Sequence, residues 1–336
     1  MKEILNIPIE PLEERYSIQW AKWFEEAFKS ASLNYRTIPG LSTSGKITNG
    51  SFLDVVETNA YKNAQLSQIL DYLKSYKDEE GVILFFHDLW FPGIETIAYI
   101  RDGMGWKNLK ICGCLHAGSY DEQDFLYKRG MEPWAYLCEE AWLGHIVDKI
   151  FVATYYHKRL LTSRRRIPWD KIVVTGFPLY PDFVEKTNIP PVNREPIIVF
   201  PHRLDEEKDP NAFDKIALQM PEYQWIKSKE VCSTKKEYYN LLQSAKIAIS
   251  FAKQETWGIA MQEAVLCGAI PLCPNRLSYT EMYNDVFLYD TEEGIREHIH
   301  RFMNAPPTHS LITQQKKIME KGASAIPNII IEMHEL

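Results

Sequence analysis

The stretch Ile247-Ala-Ile-Ser-Phe-Ala-Lys-Gln-Glu255-Thr-Trp-Gly-Ile-Ala-Met-Gln-Glu263-Ala-Val-Leu-Cys-Gly-Ala-Ile270-Pro-Leu-Cys273 has two glutamates eight positions apart between two apolar runs. The first run predicts a short buried strand, residues up to 266 predict a helix that ends at the following Cys-Gly, and the last run predicts another strand. This order is typical of an open α/β sheet, which binds ligands at the carboxyl ends of its strands. Eight residues rotate a helix by about 800°. The pattern therefore predicts Glu255 at a strand end and Glu263 on roughly the same helix face.

The residues between these glutamates favour an anion site. Thr256, Trp257 and Gly258 are expected to present backbone N–H groups at the helix start, where anions bind. Carboxylates that accept sugar hydroxyls, next to amides that hold phosphate, suit a nucleotide-sugar. The alternative is a solvated Glu255 and a helix-surface Glu263, since two glutamates at this spacing occur by chance; the order of strand, helix, glycine and strand favours a site.

A second motif precedes the first in the chain: Pro196-Ile-Ile-Val-Phe-Pro-His-Arg203-Leu-Asp-Glu-Glu-Lys208-Asp-Pro210. It predicts a strand, a charged turn and a helix from about Pro210, because proline is tolerated in the first turn of a helix. An arginine fork and a lysine charge at a strand end are suited to a diphosphate. A solvent-facing pair in a turn is the alternative interpretation.

The two motifs in this order resemble the family 4 glycosyltransferases of the GT-B fold. The family pattern G-R-L-x-x-E-K corresponds here to residues 202–208, and P-S-x-x-E-x-F-G-x-x-x-x-E-A corresponds to the segment ending at Ala264. The resemblance covers about residues 195–290. His202 replaces the usual glycine, and Phe251 and Trp257 vary other positions, without removing a charged residue of the pattern.

The resemblance implies a role for each charged residue. Arg203 and Lys208 hold the donor diphosphate, Glu255 accepts hydroxyls of the transferred sugar beside the amides of residues 256–258, and Glu263 accepts the ribose hydroxyls. UDP is the favoured nucleotide, so a UDP-sugar is the expected co-substrate. Because the chain has no Asp-x-Asp motif, a reaction without cofactor or metal is expected. The family generally retains anomeric configuration, with the departing phosphate as acceptor of the proton.

Composition agrees with an enzyme of the cytoplasm. If the chain is encoded by a phage, this is the cytoplasm of the host. The chain has 336 residues, is 45% hydrophobic and can bury two domain cores. No apolar run reaches the roughly 18 residues of a membrane span, and no signal peptide is expected at the N-terminus. The six cysteines lack a C-x-x-C spacing, so reduced core thiols are predicted.

The organisation expected is that of GT-B: two Rossmann-like, doubly wound α/β domains facing a central cleft. Short apolar runs at 4–9, 82–86, 109–115 and 149–153 alternate with helical stretches near 19–29, 60–76 and 94–101, which predicts a parallel sheet. We expect an acceptor domain at 1–190 and a nucleotide-sugar domain at 191–308. Analogy with GT-B enzymes predicts that residues 309–336 form a helix crossing back to the first domain. The sequence does not indicate the oligomeric state.

Polar residues follow several of these predicted strands. His116 matches by position the histidine that many family members place near the donor sugar and phosphate; the alternative is a histidine that caps a strand end through a backbone bond. Asp121 is a candidate to orient or deprotonate the acceptor hydroxyl, or else a helix-capping carboxylate. His87 and Asp88 are the second candidates for that role.

The acceptor side departs from the common family pattern. In place of a Gly-Gly loop after the first strand, the chain has a segment containing Glu13 and Arg15, followed by a Gly/Ser/Thr-rich loop at 39–50 that is a candidate for acceptor binding. Loops of this composition are also simply mobile connections.

A basic run at 157–166, which includes Arg164 and Arg165, stands against a net charge of −7. Such a patch can follow a phosphate backbone; the alternatives are an anionic membrane or a solvated helix face.

Two weaker resemblances indicate the acceptor. The N-terminal segment and Leu115-His-Ala-Gly-Ser-Tyr-Asp121 are similar to glycosyltransferases of tailed phages that act on 5-hydroxymethylcytosine in DNA, and residues 271–279 resemble enzymes that mannosylate queuosine in tRNA. Both imply a hydroxyl on a modified nucleobase, with DNA first, and a glucose or arabinose-type sugar. A glycan or lipid transferase, a nucleotide-sugar epimerase and a non-catalytic binding module remain alternatives.

Overall fold

The computed structural model describes residues 2–12, 15–48, 53–180 and 194–336. The chain divides into two compact units. The first comprises Met1–Pro178 with Ala325–Leu336, and the second comprises Leu179–Ser324. The sequence analysis placed the domain boundary at residue 190, which lies outside the described residues.

The first unit is built on a six-stranded parallel sheet in the order β2-β1-β3-β4-β5-β6. Its strands are β1 (Glu3–Ile7), β2 (Tyr35–Thr37), β3 (Val82–Phe86), β4 (Leu109–Cys114), β5 (Lys149–Val152) and β6 (Ile172–Val174). All five residues of β3, Val-Ile-Leu-Phe-Phe, are buried. Continuous apolar strands of this kind form where helices cover both faces of a parallel sheet.

The helices of the first unit connect these strands. They are α1 (Tyr16–Ser30), α2 (Val55–Leu73), α3 (Ile94–Gly103), α4 (Phe125–Lys128), α5 (Glu132–Ala141) and α6 (Tyr155–Arg165), with a π-helical turn at Trp142–Ile146. Three of them begin at side-chain caps: Asp54 accepts from the amides of Val56 and Glu57, Asp124 accepts from the amide of Leu126, and Thr154 accepts from the amide of His157.

The second unit has a five-stranded parallel sheet in the order β11-β10-β9-β7-β8. The strands are β7 (Glu195–Phe200), β8 (Gln224–Lys227), β9 (Ala245–Ile249), β10 (Ile270–Pro274) and β11 (Leu288–Tyr289). The helices are α7 (Pro210–Gln219), α8 (Ser228–Val231), α9 (Lys235–Ser244), α10 (Ile259–Leu266), α11 (Tyr279–Met282), α12 (Glu292–Asn304) and α13 (His309–Met319).

Both sheets have a topological switch point. In each unit the second strand lies on one side of the first strand and the third strand lies on the other. The switch points therefore fall between β1 and β3 in the first unit and between β7 and β9 in the second. Ligands of doubly wound sheets bind outside the carboxyl ends of the strands at such points.

The strands expected near 4–9, 82–86, 109–115, 149–153, 196–200, 247–251 and 270–273 are all present, within about two residues of the predicted bounds. Three strands of two or three residues, β2, β6 and β11, were not expected. They are too short to show a hydrophobic pattern, and their pairing is decided by the neighbouring strand.

The C-terminal segment differs from the single returning helix expected for 309–336. Helix α13 belongs to the second unit, where Gln315 donates from Nε2 to the carbonyl of Met282 (2.9 Å). A further helix, α14 (Ala325–His334), belongs to the first unit, where Glu332 pairs with Lys149 (2.7 Å). The return to the first unit therefore begins at residue 325.

All six cysteines are free thiols, and Cys112, Cys114, Cys267 and Cys273 are buried. Burial raises the pKa of each of these four thiols. In the described part of the chain no helix is both long enough and apolar enough to cross a membrane.

Candidate functional site

The loop after β7 holds Arg203 and Lys208 on a short, anchored turn. Glu206–Lys208 form one turn of 3-10 helix, and Asp209 follows in the left-handed region at φ 56°. The Asp209 side chain then caps α7 by accepting from the amide of Ala212. This turn fixes the backbone from which both basic side chains extend.

Arg203 is held by two carboxylates of its own loop. Its Nε lies 2.8 Å from Asp205 Oδ2, and its Nη2 donates to Glu207 Oε1. The Arg203 side chain nevertheless remains 23% exposed. A guanidinium carries five N–H donors, so the two contacts orient the group and leave N–H groups for an anion.

The loop after β9 carries Glu255, which pairs with Lys208 of the neighbouring loop. Lys208 Nζ lies 3.2 Å from Glu255 Oε2 and donates to the carbonyl oxygen of Gln254 (2.7 Å). The amide of Lys253 donates to the carbonyl of Glu207 (2.7 Å). Because β7 and β9 are adjacent in the sheet, these bonds join the two sequence motifs at the switch point of the second unit.

Glu255 is ionised at neutral pH. Burial by itself raises its pKa, but the charge of Lys208 and the amide of Gly258 oppose burial and hold the pKa at about 2. His202 begins the first motif and is neutral, since burial and then the charge of Lys208 lower its pKa to about 3. The site thus contains a fixed carboxylate beside a fixed ammonium.

The predicted helix geometry around Glu255 is wrong. Helix α10 begins only at Ile259, and Gly258 precedes it with φ 65°. Glu255 therefore lies in the loop and shares no helix face with Glu263. The amides of Thr256 (3.1 Å) and Trp257 (3.3 Å) donate to Glu255 Oε1. These two amides therefore orient the Glu255 carboxylate, whereas the sequence predicted that they would be available to an anion. The left-handed Gly258 allows the chain to fold back in this way.

Glu263 lies on α10 and is 4% exposed. Its Oε1 accepts from the hydroxyl of Tyr239 (2.8 Å) and from Lys235 Nζ (3.0 Å). Lys235 also lies over the rings of Tyr238 and Tyr239, 5.1 and 5.4 Å from their centroids. Glu263 is consequently an oriented acceptor with one oxygen already engaged.

Several buried polar atoms near these loops have no hydrogen-bond partner within the described part of the chain. They are His202 Nε2, Trp257 Nε1, Ser278 Oγ and Tyr283 Oη. Leaving such groups unsatisfied costs about 1–3 kcal/mol each. Polar atoms of this kind are typical of a site that a ligand completes.

In the first unit, His116 lies in an aromatic cage with Tyr16, Trp20 and Phe177, whose ring centroids are 5.7, 5.0 and 4.9 Å away. Its Nε2 is 2.7 Å from the carbonyl oxygen of His87, and its Nδ1 is 2.8 Å from the Tyr16 hydroxyl. Because a carbonyl only accepts, Nε2 carries the proton and Nδ1 accepts from Tyr16. Burial lowers the pKa of His116, so the ring is neutral. Its bond to the His87 carbonyl is the backbone bond that the alternative interpretation predicts.

His87 and Asp88 are both engaged within the first unit. His87 is fully buried, with Nε2 2.7 Å from Asn6 Oδ1, and burial lowers its pKa to about 3. Asp88 pairs with Lys62 (2.9 Å) and accepts from the amide of Trp90. His87 supports the sheet edge under His116, and Asp88 fixes the loop after β3.

The basic run at 157–166 is not one surface. His157 and Lys158 are buried, and Arg165, 6% exposed, pairs with Glu139 at 2.6 Å. Arg164 is 58% exposed and lies 3.9 Å from Glu122. Helix α6 packs one face on the unit, so residues adjacent in sequence point in different directions. Arg165 is an internal residue of the unit, whereas Arg164 faces outward.

The remaining predicted residues have local roles. Asp121 Oδ1 accepts from the amide of Gln123 (2.9 Å), as a loop-stabilising aspartate does. The amide of Arg15, at the position preceding α1, donates to the carbonyl oxygen of Leu12 (3.0 Å). Glu13 lies outside the described residues.

Sequence reasoning missed residues that shape the site. Arg276 donates to the carbonyls of Phe251 and Ala252 and so holds the loop after β9; no local pattern marks this contact. Lys235 follows Thr234, which forms a capping box with Glu237, and the T-x-x-E pattern could have located this helix start. In the described ranges, no group of three or more His, Cys, Asp or Glu is placed to hold a metal ion.

Comparison with known proteins identifies the architecture. No family model matches the chain. A curated relative, the tRNA-queuosine alpha-mannosyltransferase of Drosophila melanogaster, is 26% identical over a region that covers 32% of this chain. This chain spans 36% of the relative's length, about a third of it.

Solved structures match along the whole chain. The sucrose-phosphate synthase of Thermosynechococcus elongatus is 13% identical with a TM-score of 0.71, covering 100% of this chain and 98% of its own. Anabaena HepE, solved with UDP and with UDP and glucose, is 8% identical with a TM-score of 0.66 and full coverage of both chains. A glycosyltransferase from Rickettsia africae is 16% identical with a TM-score of 0.58, covering 97% and 93%. The chain has the GT-B fold, which confirms the expected fold class.

Proposed function

We propose that the chain is a nucleotide-sugar-dependent glycosyltransferase that uses a UDP-sugar. The observation that carries this proposal is the Lys208–Glu255 pair, which joins the β7 and β9 loops at the switch point of the second unit. A basic residue for a diphosphate and an ionised carboxylate for sugar hydroxyls thus stand side by side. The GT-B fold and the UDP complexes of HepE support the same donor class.

In this proposal the second unit supplies charge stabilisation. Arg203 and Lys208 neutralise the diphosphate as it departs, which is where charge develops in sugar transfer. Glu255, with a pKa of about 2, stays ionised and accepts hydrogen bonds from the sugar hydroxyls. Glu263 is oriented by Tyr239 and Lys235 to accept the ribose hydroxyls.

The proposed reaction is metal-independent and retaining. His116 is neutral, and each of its ring nitrogens already has a partner, so we do not assign it as the proton acceptor. Asp121, which accepts from the Gln123 amide, can position the acceptor. The proton of the acceptor hydroxyl then passes to the departing phosphate, while Arg203 and Lys208 stabilise the charge of the leaving diphosphate.

For the acceptor we propose a hydroxyl on a modified nucleobase, with queuosine in tRNA first. The name of the Drosophila relative supports this choice. The outward-facing arginines of the α6 region, Arg159, Arg164 and Arg166, offer charge for a phosphate backbone. 5-Hydroxymethylcytosine in DNA becomes the second acceptor to test, and Glu13, Arg15 and Asp88 remain the proposed acceptor-side residues of the first unit. His87 is withdrawn from that role, because its side chain is fully buried.

The test is release of the nucleoside diphosphate over a panel of UDP- and GDP-sugars, with EDTA and with added Mg²⁺. Each donor is combined with queuosine-containing tRNA, the same tRNA lacking queuosine, or 5-hydroxymethylcytosine DNA. Mass spectrometry of the digested nucleosides identifies the product. We expect release that depends on queuosine tRNA, withstands EDTA and adds one hexose or pentose mass to the base.

Each other outcome has a definite meaning. Release that requires the modified DNA replaces tRNA with DNA as the acceptor. Isomerisation of the UDP-sugar without an acceptor identifies an epimerase. UDP binding without turnover on either nucleic acid excludes the proposed acceptor and leaves a glycan or lipid transferase or a binding module. Absence of nucleotide-sugar binding altogether overturns the proposal.

A further inference from the structure

The first unit contains a pocket of about 440 Å³. Its lining includes part of the Gly/Ser/Thr-rich loop at 39–50, which the sequence marks as a candidate for acceptor binding. Three segments line it: residues 10–12 after β1, residues 39–45 after β2, and Tyr61 on α2. Both strand-following segments leave the carboxyl edge of the sheet, where ligands bind in doubly wound folds. Its volume falls in the range of small-molecule sites.

A buried carboxylate lines this pocket. Glu10 is 1% exposed, and its Oε2 accepts from the hydroxyl of Thr58 (2.6 Å). The second oxygen, Oε1, has no hydrogen-bond partner in the described part of the chain. A buried carboxylate oxygen without a donor is unfavourable, because its loss of water is not compensated.

The pocket lining supplies no cation to Glu10. Among residues 10–12, 39–45 and 61, none is a lysine, arginine or histidine. The nearby Lys62 is engaged elsewhere, by Asp88 and the carbonyl of Trp90. The lining instead offers the polar side chains of Ser42 and Thr43, while the Ser44 hydroxyl donates to Glu57 Oε1. The pocket therefore has negative charge and hydroxyl groups, which favours a cation with hydrogen-bond donors.

The walls of the pocket are firmly built. Gln65 donates from Nε2 to the carbonyls of Pro8 and Ile38, both at 2.9 Å, and so ties the segments after β1 and β2 together. Gly40 lies against Tyr61 so closely that a Cβ on it would be 2.3 Å from the ring. The site needs little ordering before it binds a ligand.

We propose that this pocket binds an ammonium group carried by a hydroxylated small molecule or substituent, with Glu10 as the counter-charge. If the proposed function holds, this group belongs to the acceptor; that step alone rests on the proposed transferase activity. Glu10 acts as a binding residue and takes no part in transfer chemistry.

The test uses glucosamine and glucose, which differ in one amino group, as probes of the protein without donor. Saturation-transfer NMR measures binding of each sugar to wild type, Glu10→Gln and Asp71→Asn. Asp71 lies on α2 with a side chain 66% exposed, so its replacement makes the same charge change away from the pocket. We expect glucosamine to bind wild type and Asp71→Asn equally, and at least tenfold more tightly than glucose does. Glu10→Gln should lower glucosamine affinity at least tenfold.

A third variant guards against a folding defect. Thr43→Phe adds bulk to the pocket lining without touching Glu10 and should also lower glucosamine binding, with an unchanged circular dichroism spectrum. Equal affinity for the two sugars, or undiminished glucosamine binding by folded Glu10→Gln, overturns the pocket proposal. The affinity for UDP is measured on the same samples. If wild type does not bind UDP, the donor assignment is overturned while the pocket result remains valid.

Discussion

At the scale of single residues, the candidate donor site depends on charges that are held before any ligand arrives. Lys208 and Glu255 are 11% and 14% exposed in their side chains and lie 3.2 Å apart. Removing either partner would leave the other as an unpaired charge far from water, which is costly. The pair is therefore a structural contact and a candidate binding device at once, and single substitutions affect both properties.

A paired substitution separates the two properties. Glu255→Gln leaves Lys208 without its counter-charge and should lower the free energy of unfolding by about 3 kcal/mol, with sugar transfer falling at least about 100-fold. Adding Lys208→Met removes the unpaired charge, so urea unfolding should return to within about 1 kcal/mol of wild type while transfer stays lost.

Glu292→Gln is the control, because Glu292 pairs with Lys215 on the surface, with side chains 52% and 59% exposed. It should change neither unfolding nor transfer measurably. Normal transfer by Glu255→Gln would exclude the role proposed for this carboxylate.

At the scale of elements, the candidate residues come from loops that neighbouring parts of the chain hold in place. The loop after β4 is an example: Glu139 of α5 accepts from the amide and hydroxyl of Ser119 (2.6 and 2.9 Å). Arg165 of α6 pairs with the same carboxylate (2.6 Å). Burial raises the pKa of Glu139, and the bonds from Arg165 and Ser119 oppose that rise. The network fixes the loop that follows His116.

Neighbouring arginines of α6 provide a matched test of this network. Arg165→Leu leaves the buried Glu139 carboxylate without its cation and should lower the free energy of unfolding by about 3–5 kcal/mol. Arg164→Leu, at a side chain 58% exposed, should change it by no more than about 0.5 kcal/mol. Urea titrations at pH 7.5 measure both.

Similar unfolding midpoints for the two variants would show that the Arg165–Glu139 pair does not support the loop. Replacing all three arginines at 164–166 with alanine would therefore be a poor test of nucleic-acid binding, because it also breaks the internal Arg165–Glu139 ion pair.

At the scale of the whole molecule, each unit keeps neutral histidines in its interior. His87 and His157 are buried in the first unit and His202 in the second. Burial is the main cause that lowers the pKa of all three to about 3. In the unfolded chain these rings titrate near 6.5, so below that pH the unfolded state binds protons that the folded state does not.

Acid should therefore destabilise both units. Stability is fully present above about pH 6.5 and is lost as the pH falls from there toward 3, by about 1.4 kcal/mol per histidine for each pH unit. Urea midpoints should stay nearly constant from pH 7.5 to about 6.5 and decrease from there to pH 5.5. His157→Asn, which cannot titrate, should show a shallower decrease than wild type, and an equal slope would contradict the assignment.

The sequence by itself determined the parallel α/β architecture, most strand positions and the two charged motifs. Local information suffices for these features: apolar runs such as Val82–Phe86 are buried on both faces, and Pro210 and Gly258 mark where helices begin. The order of Arg203, Lys208, Glu255 and Glu263 along the chain was also enough to indicate the fold that the solved structures confirm.

Only the tertiary structure decided which of these groups meet. Lys208 and Glu255 are 47 residues apart in the chain and become neighbours because β7 and β9 pair in the sheet. The amides after Glu255 bind its own carboxylate, and Arg165 points inward while Arg164 points outward. Among the described residues, none that packs around Glu10 gives its Oε1 a hydrogen bond. Strand order and packing across the sheet fix such contacts, and no local pattern in the sequence records them.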